Sequence, residues 1–236
     1  MAEHARDAIK DVSPVLLAVL PFGGVFGALA AESGLTLFQI MVASATIFAG
    51  ASQYAMLDLM GQKVQPWAIV LTVFAINFRH VLYSAALGRR LKSFSFMQKS
   101  VAFGFLVDPL YAAAEARSRH TSLTPAYIFT YAGIIYSMWM AANLLGALFG
   151  RLIEDPSTFG FDFILPLYFI GLVMAYRKSG NFWPILLVSV TVSLLVWFWI
   201  GTPWHISLGG LAGLVLAAAL SKPEDQTQTT EAPADV

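Results

Sequence analysis

The sequence predicts an all-α, polytopic membrane protein with seven or eight transmembrane helices, some broken at mid-membrane. Three observations carry that expectation. Hydrophobic residues make up 58% of the 236 residues and charged ones only 12%, against about 25% charged in a soluble domain. So few charges cannot cover a globular surface, and so apolar a chain is not disordered. The apolar residues also fall in long continuous runs rather than the alternating ten-residue strands of a β-barrel.

The runs free of Asp, Glu, Lys, Arg and His are Val12–Ala31, Ser33–Leu57, Val64–Phe78, Thr121–Gly150, Phe163–Tyr176, Ser179–Trp204 and Ile206–Ser221. A further apolar segment, Val101–Ala116, is interrupted by Asp108 and Glu115. About 20 helical residues cross a 30 Å hydrocarbon core, so eight such segments leave only short loops. The chain thus divides into a short N-terminal segment (1–13), one transmembrane helical domain (14–221) and a disordered tail (222–236). The tail, Lys222–Val236, is Pro, Glu, Asp, Gln and Thr, with too little to bury.

The first run ends in Ala28-Leu29-Ala30, which imitates a signal-peptidase site. Glu3, Asp7 and Asp11 precede it, however, and the run is longer than a signal sequence needs, so it reads as a retained helix. With eight spans and a cytoplasmic N-terminus, Arg6, Lys10, Lys63, Arg117, Arg119, Arg177, Lys178 and Lys222 lie inside. Arg89, Arg90, Lys92, Lys99 and Arg151 then lie outside. The positive-inside rule favours this orientation by count, yet the most basic loop falls on the wrong face. Either an early segment is re-entrant or the rule is overridden.

Fourteen basic residues balance fourteen acidic ones, so no net field attracts nucleic acid. The absence of cysteine excludes disulfides, thiolate metal sites and cysteine nucleophiles. His4, His80, His120 and His205 lack metal-ligand spacing, and no nucleotide-binding, zinc-protease or serine-hydrolase motif is present. No cofactor or metal is expected, and no enzyme.

Polar groups at membrane depth are costly and mark candidate sites. The third segment carries Asn77, Arg79, His80 and Tyr83. On a regular helix Asn77, His80 and Ser84 share one face and Arg79 and Tyr83 the other, so only one set lines a single pathway. Asp108-Pro109 lies mid-way along the fourth segment, with Tyr111 and Glu115 on the same face. A carboxylate at the bilayer centre costs about 2.5–3.5 kcal/mol. It either pairs with a cation, Arg79 being the candidate, or stays protonated, and both states suit proton coupling. Leu20-Pro21-Phe22-Gly23-Gly24 reads as a break in the first helix, where free N–H groups can meet a carboxylate. Phe48-Ala49-Gly50-Ala51-Ser52-Gln53 is a small-polar patch in the second. Gly23/Gly27, Gly146/Gly150 and Gly209/Gly213 are small-xxx-small pairs, and one of the last two is expected to meet a partner helix.

Pro21-Phe22-Gly23 with Phe26-Gly27, Phe48 to Gln53, Asn77-x-Arg79-His80-x-Leu82-Tyr83, and Asp108-Pro109 with Tyr111, in this order and spacing, resemble the AzlC family. Its members are large subunits of bacterial branched-chain amino acid exporters. The resemblance covers about residues 8–220. It implies a multi-pass protein of the bacterial inner membrane that exports valine, leucine, isoleucine and sometimes methionine. It also implies proton-motive-force coupling and a small AzlD-type membrane partner. On residue chemistry, Phe22, Gly23, Gly24, Phe26, Gly50, Gln53, Asn77 and His80 are candidate substrate contacts, with Phe48 in the apolar wall, and Asp108 and Arg79 the candidate coupling pair. A passive channel, or an exporter of another small solute, is the alternative.

Overall fold

The computed structural model describes residues 2–150, 167, 170, 171, 173, 174, 177, 178, 180–201 and 204–220. Arg151, most of the expected segment Phe163–Tyr176 and the tail from Ser221 onward lie outside the described residues. The described residues are helical, without strands. The chain divides by its contacts into two units, Met1–Leu172 and Val173–Val236.

The first unit begins with α1 (Ala2–Glu32) and contains α8 (Pro125–Phe149). These two lie side by side and parallel: Tyr127 donates to Asp11 near their starts, and Gly150 abuts Ala28 near their ends. α1 runs unbroken through Pro14, Pro21, Gly23 and Gly24. The expected break is therefore absent, and its N–H groups are not free for a ligand. The physical reason is lateral packing. A Cβ on Gly23 would stand 2.9 Å from that of Ala142; one on Gly27 would strike the Asn143 carbonyl, and one on Gly146 the Gly24 carbonyl. These glycines let two backbones approach, and the α1–α8 interface compensates for the hydrogen bonds the prolines remove.

Between these helices lie α2 (Leu37–Ile47), α3 (Gly50–Gly61), α4 (Pro66–Asn77), α5 (Arg79–Gly88), α6 (Phe96–Gly104) and α7 (Asp108–Ser118). Each of α2, α3, α6 and α7 has twelve residues or fewer, about half the length a 30 Å core requires. α2 and α3 form a hairpin. Gln53 donates back to Ser44 at 3.1 Å across the turn, and Ile40 and Leu57 both pack with Phe26, Ala30 and Ala31 at the end of α1. The hairpin enters from the face where α1 ends and returns to it.

α6 and α7 form a second hairpin from the opposite face. Phe94, just before α6, meets Phe129 near the start of α8, with ring centroids 6.4 Å apart. At the other end of the hairpin, Arg117 pairs with Asp7 at 2.8 Å and lies 4.4 Å over the Tyr127 ring. Arg90, beyond α5, pairs with Glu115 at 2.9 Å and bonds Ser118. Residues 4–11, 89–99 and 115–125 therefore share one face.

The eight apolar segments are thus not eight crossings. Among the described residues of the first unit three passages are long and apolar enough to cross: α1, α4–α5 (Pro66–Gly88) and α8. The second and fourth expected spans are half-way hairpins. This removes the charge anomaly, because Arg89, Arg90, Lys92 and Lys99 join Arg6, Lys10, Arg117 and Arg119 on the N-terminal face, opposite Lys63. The positive-inside rule assigns that face to the cytoplasm.

The hairpins share a start signal. Thr36 and Gln39 form a capping box on α2, and Ser95 and Gln98 form the same box on α6. Pro66 and Pro125 occupy the first turns of α4 and α8. Thr36 and Ser95 are 59 residues apart, as are Pro66 and Pro125. The segment 36–66 thus recurs at 95–125, entering from the other face.

In the second unit α9 (Phe182–Trp199) and α10 (Trp204–Leu220) are antiparallel, with Asn181 bonded to the Leu220 carbonyl. A Cβ on Gly209 or Gly213 would strike Ser193 or Ser189 of α9. Both glycine pairs expected to offer a partner surface, Gly146/Gly150 and Gly209/Gly213, are used inside the chain.

Candidate transport site at the hairpin tips

The two tips meet at mid-depth. Between α2 and α3 the chain turns through Phe48, which is left-handed at φ 32°, and Ala49, which is extended. Between α6 and α7 it turns through Phe105, Leu106 and Val107. The rings of Phe48 and Phe105 have centroids 6.3 Å apart. Beside them α4 gives way to α5 at Phe78, where the N–H of Phe78 reaches only back to Ala75. Three helix interruptions therefore converge on one level.

A cavity of about 50 Å³ opens there, lined by Val19, Phe22, Phe48, Ala49, Gly50, Ala51, His80, Val107, Asp108, Pro109, Ile135 and Trp139. Asp108 is the first residue of α7, where the helix dipole favours a carboxylate. Arg79 Nη1 lies 3.0 Å from Asp108 Oδ1, with both side chains mostly buried. The Tyr83 hydroxyl donates to the same oxygen at 2.8 Å. Tyr83 in turn stacks on Tyr111, with centroids 4.3 Å apart and planes 9° from parallel. His80 lines the cavity, and its buried Nε2 has no hydrogen-bond partner among the described residues. The expected ion pair is present. The expected separation of two helix faces is not: with the helix interrupted at Phe78 and a hairpin tip seated against it, His80, Arg79 and Tyr83 all serve one site.

Of the other expected contacts, Phe22, Phe48 and Gly50 line the cavity. Gly23 and Gly24 face α8 and do not. Phe26 is fully buried in the cluster with Ile40 and Leu57. Gln53 is fully buried with both ends engaged: its oxygen accepts from Trp139 Nε1 at 3.1 Å, and its nitrogen donates to Ser44. Ser44 donates to Asn143, completing a network that fixes the first hairpin on α8. These bonds engage one donor and one acceptor of Gln53, which also sits away from the cavity wall. Asn77 accepts from Ser52 at 2.6 Å, tying that hairpin to the α4–α5 interruption. Sequence reading missed Trp139, Ile135 and Val19, which no local pattern marks.

Pro109 also borders a groove of about 760 Å³ between α1 and α7, lined by Lys10, Asp11, Arg117, His120 and Tyr131 among others. It shares Pro109 with the central cavity and reaches residues of the N-terminal face.

The profile of the AzlC protein family matches residues 14–153, more than half of the chain. The chain belongs to the AzlC family. It is 27% identical over 217 residues to the inner membrane protein YgaZ of Escherichia coli, covering 89% of this chain and 86% of that one. It is 34% identical over 170 residues to a membrane protein of Archaeoglobus fulgidus, covering 71% and 74%. A membrane protein of Helicobacter pylori J99 is 25% identical over 224 residues, covering 93% and 95%. No solved structure matches. The matched stretch of this AzlC-family chain contains both hairpins, most of α1, all of α4, α5 and α8, and every residue of the cavity wall. It is an integral membrane protein.

Proposed function

We propose that this chain is the large subunit of a secondary exporter of branched-chain amino acids, driven by the proton motive force and working with a small AzlD-type membrane subunit. One observation carries the reading: Asp108, ion-paired to Arg79, lines a cavity at the tips of two hairpins that enter from opposite faces. Interrupted helices at the midplane are where transporters bind substrate.

The chemistry fits a small apolar zwitterion. Asp108 accepts an ammonium group. The first turn of α3 has no side-chain cap, so the N–H groups of Gly50 and Ala51 are available to a carboxylate. Val19, Phe22, Ile135 and Trp139 surround an aliphatic side chain. At about 50 Å³ the cavity clears the ~10–15 Å³ that a single water needs but is too small for an amino acid. Loading therefore requires a hairpin tip to move, and the groove beside Pro109 is the route from the cytoplasm. Movement that parts Asp108 from Arg79 lets the carboxylate take a proton on one side and release it on the other.

The test is transport of labelled valine in proteoliposomes, with and without the partner subunit and a pH gradient. Asp108→Asn should abolish uphill transport and retain exchange, which moves no net proton. Normal uphill transport by that variant rejects the coupling role. Flux that never exceeds equilibration would identify a channel.

A further inference from the structure

A second cavity of about 140 Å³ adjoins the first. It is walled by Ala45, Thr46, Ile47 and Phe48 of the first hairpin, by Phe103 to Val107 of the second, and by His80 and Tyr136. Three residues face both cavities: Phe48, His80 and Val107. The two spaces are thus neighbours that share these three wall residues.

Phe48 is the unusual member of the three. Its φ of 32° and ψ of 47° are left-handed, a conformation glycine takes freely and a bulky aromatic residue does not. Such strain persists only where the surroundings impose it. Here they do: the Phe48 ring lies edge-on to Tyr136 at 4.9 Å and to Phe105 at 6.3 Å, and Phe105 lies edge-on to Tyr136 at 5.1 Å. Two rings, Phe105 of the second hairpin and Tyr136 of α8, hold it in place. An ordinary helix end needs no such ring.

We propose that Phe48 is a gate of the transport path, its ring closing the passage between the two cavities. The inference rests on the transport reading for what crosses, but not for whether the passage opens. Because native cysteine is absent, Ala51→Cys reports on the first cavity and Ile47→Cys on the second. A membrane-impermeant thiol reagent is applied to one face of sealed vesicles at a time. With Phe48 present, the reagent added to either face should modify at most one of the two cysteines rapidly. With Phe48→Ala, one face should give access to both, the second reacting at least tenfold faster than before. Phe48→Leu keeps apolar bulk without the ring and should give an intermediate rate; it serves if Phe48→Ala does not fold. An unchanged labelling pattern in both variants overturns the gate. The companion measurement is downhill efflux of labelled valine, expected to rise as uphill transport falls. New labelling without faster valine efflux upholds the gate and counts against valine as the solute.

Discussion

Trp139 donates its indole N–H to Gln53 across 3.1 Å, and the two belong to different elements, α8 and the first hairpin. Trp139 also faces the cavity, so this bond sets the position of a wall residue from behind. Gln53 thus acts on the cavity through Trp139. Gln53→Ala strands the Trp139 donor and releases Ser44, each unsatisfied buried group costing about 1–3 kcal/mol. Thermal unfolding followed by tryptophan fluorescence should show a clearly lower midpoint. An unchanged midpoint would mean that the network carries no stability.

The ion pair makes a separate prediction for folding. Removing one partner of a buried pair leaves an uncompensated charge, at a cost of about 3–5 kcal/mol. Asp108→Asn alone should reduce monodisperse yield in detergent, and Arg79→Gln with it should restore yield. Neither variant should drive uphill transport. Equal yields for single and double variants would show that the pair contributes nothing to the fold.

The topology is open to direct labelling. Ser93→Cys lies beyond α5 and Gln62→Cys beyond α3. On the hairpin arrangement, Ser93→Cys and Glu3→Cys react from the cytoplasmic face and Gln62→Cys from the other. Labelling of Ser93→Cys from outside the cell would restore the eight-span arrangement and remove the hairpins.

Gly146 offers a check on which contacts are internal. Gly146→Leu places a side chain against the Gly24 carbonyl and should collapse the folded yield of the chain expressed alone. If Gly146→Leu folds normally alone and loses only the partner, the glycine pair belongs to the subunit interface after all.

Much of this fold was legible from residue types. Continuous apolar runs announce helices in a bilayer, and Asp108 announces a need for Arg79, because an unpaired charge at that depth is costly. What escaped was direction. Hydropathy measures whether a run is apolar, not whether it crosses, and a 25-residue apolar stretch such as Ser33–Leu57 reads alike whether it passes through or turns back at Phe48. The deciding signals were a left-handed phenylalanine, invisible to composition, and the Thr36–Gln39 and Ser95–Gln98 boxes, whose equal spacing goes unnoticed when each is read as a local cap. Pro21 and Gly23-Gly24 misled for the converse reason. Local helix breakers were overruled by packing against Ala142, Asn143 and Gly146, which lie more than a hundred residues away in the chain.

The interrupted hairpins have one further consequence, which concerns isotope exchange. A passage such as α8 closes its amides into an unbroken ladder, and those at its centre should hold their protons for long periods in a bilayer. Around residues 49–51 and 107–108 one helix ends and the next begins, so the ladder is interrupted at the same depth, beside a cavity large enough for water. Deuterium introduced from the buffer should therefore enter the middle of the bilayer sooner than the core of α8. The least protected amides of the first unit then include a band at its equator, not only the loops at its two faces.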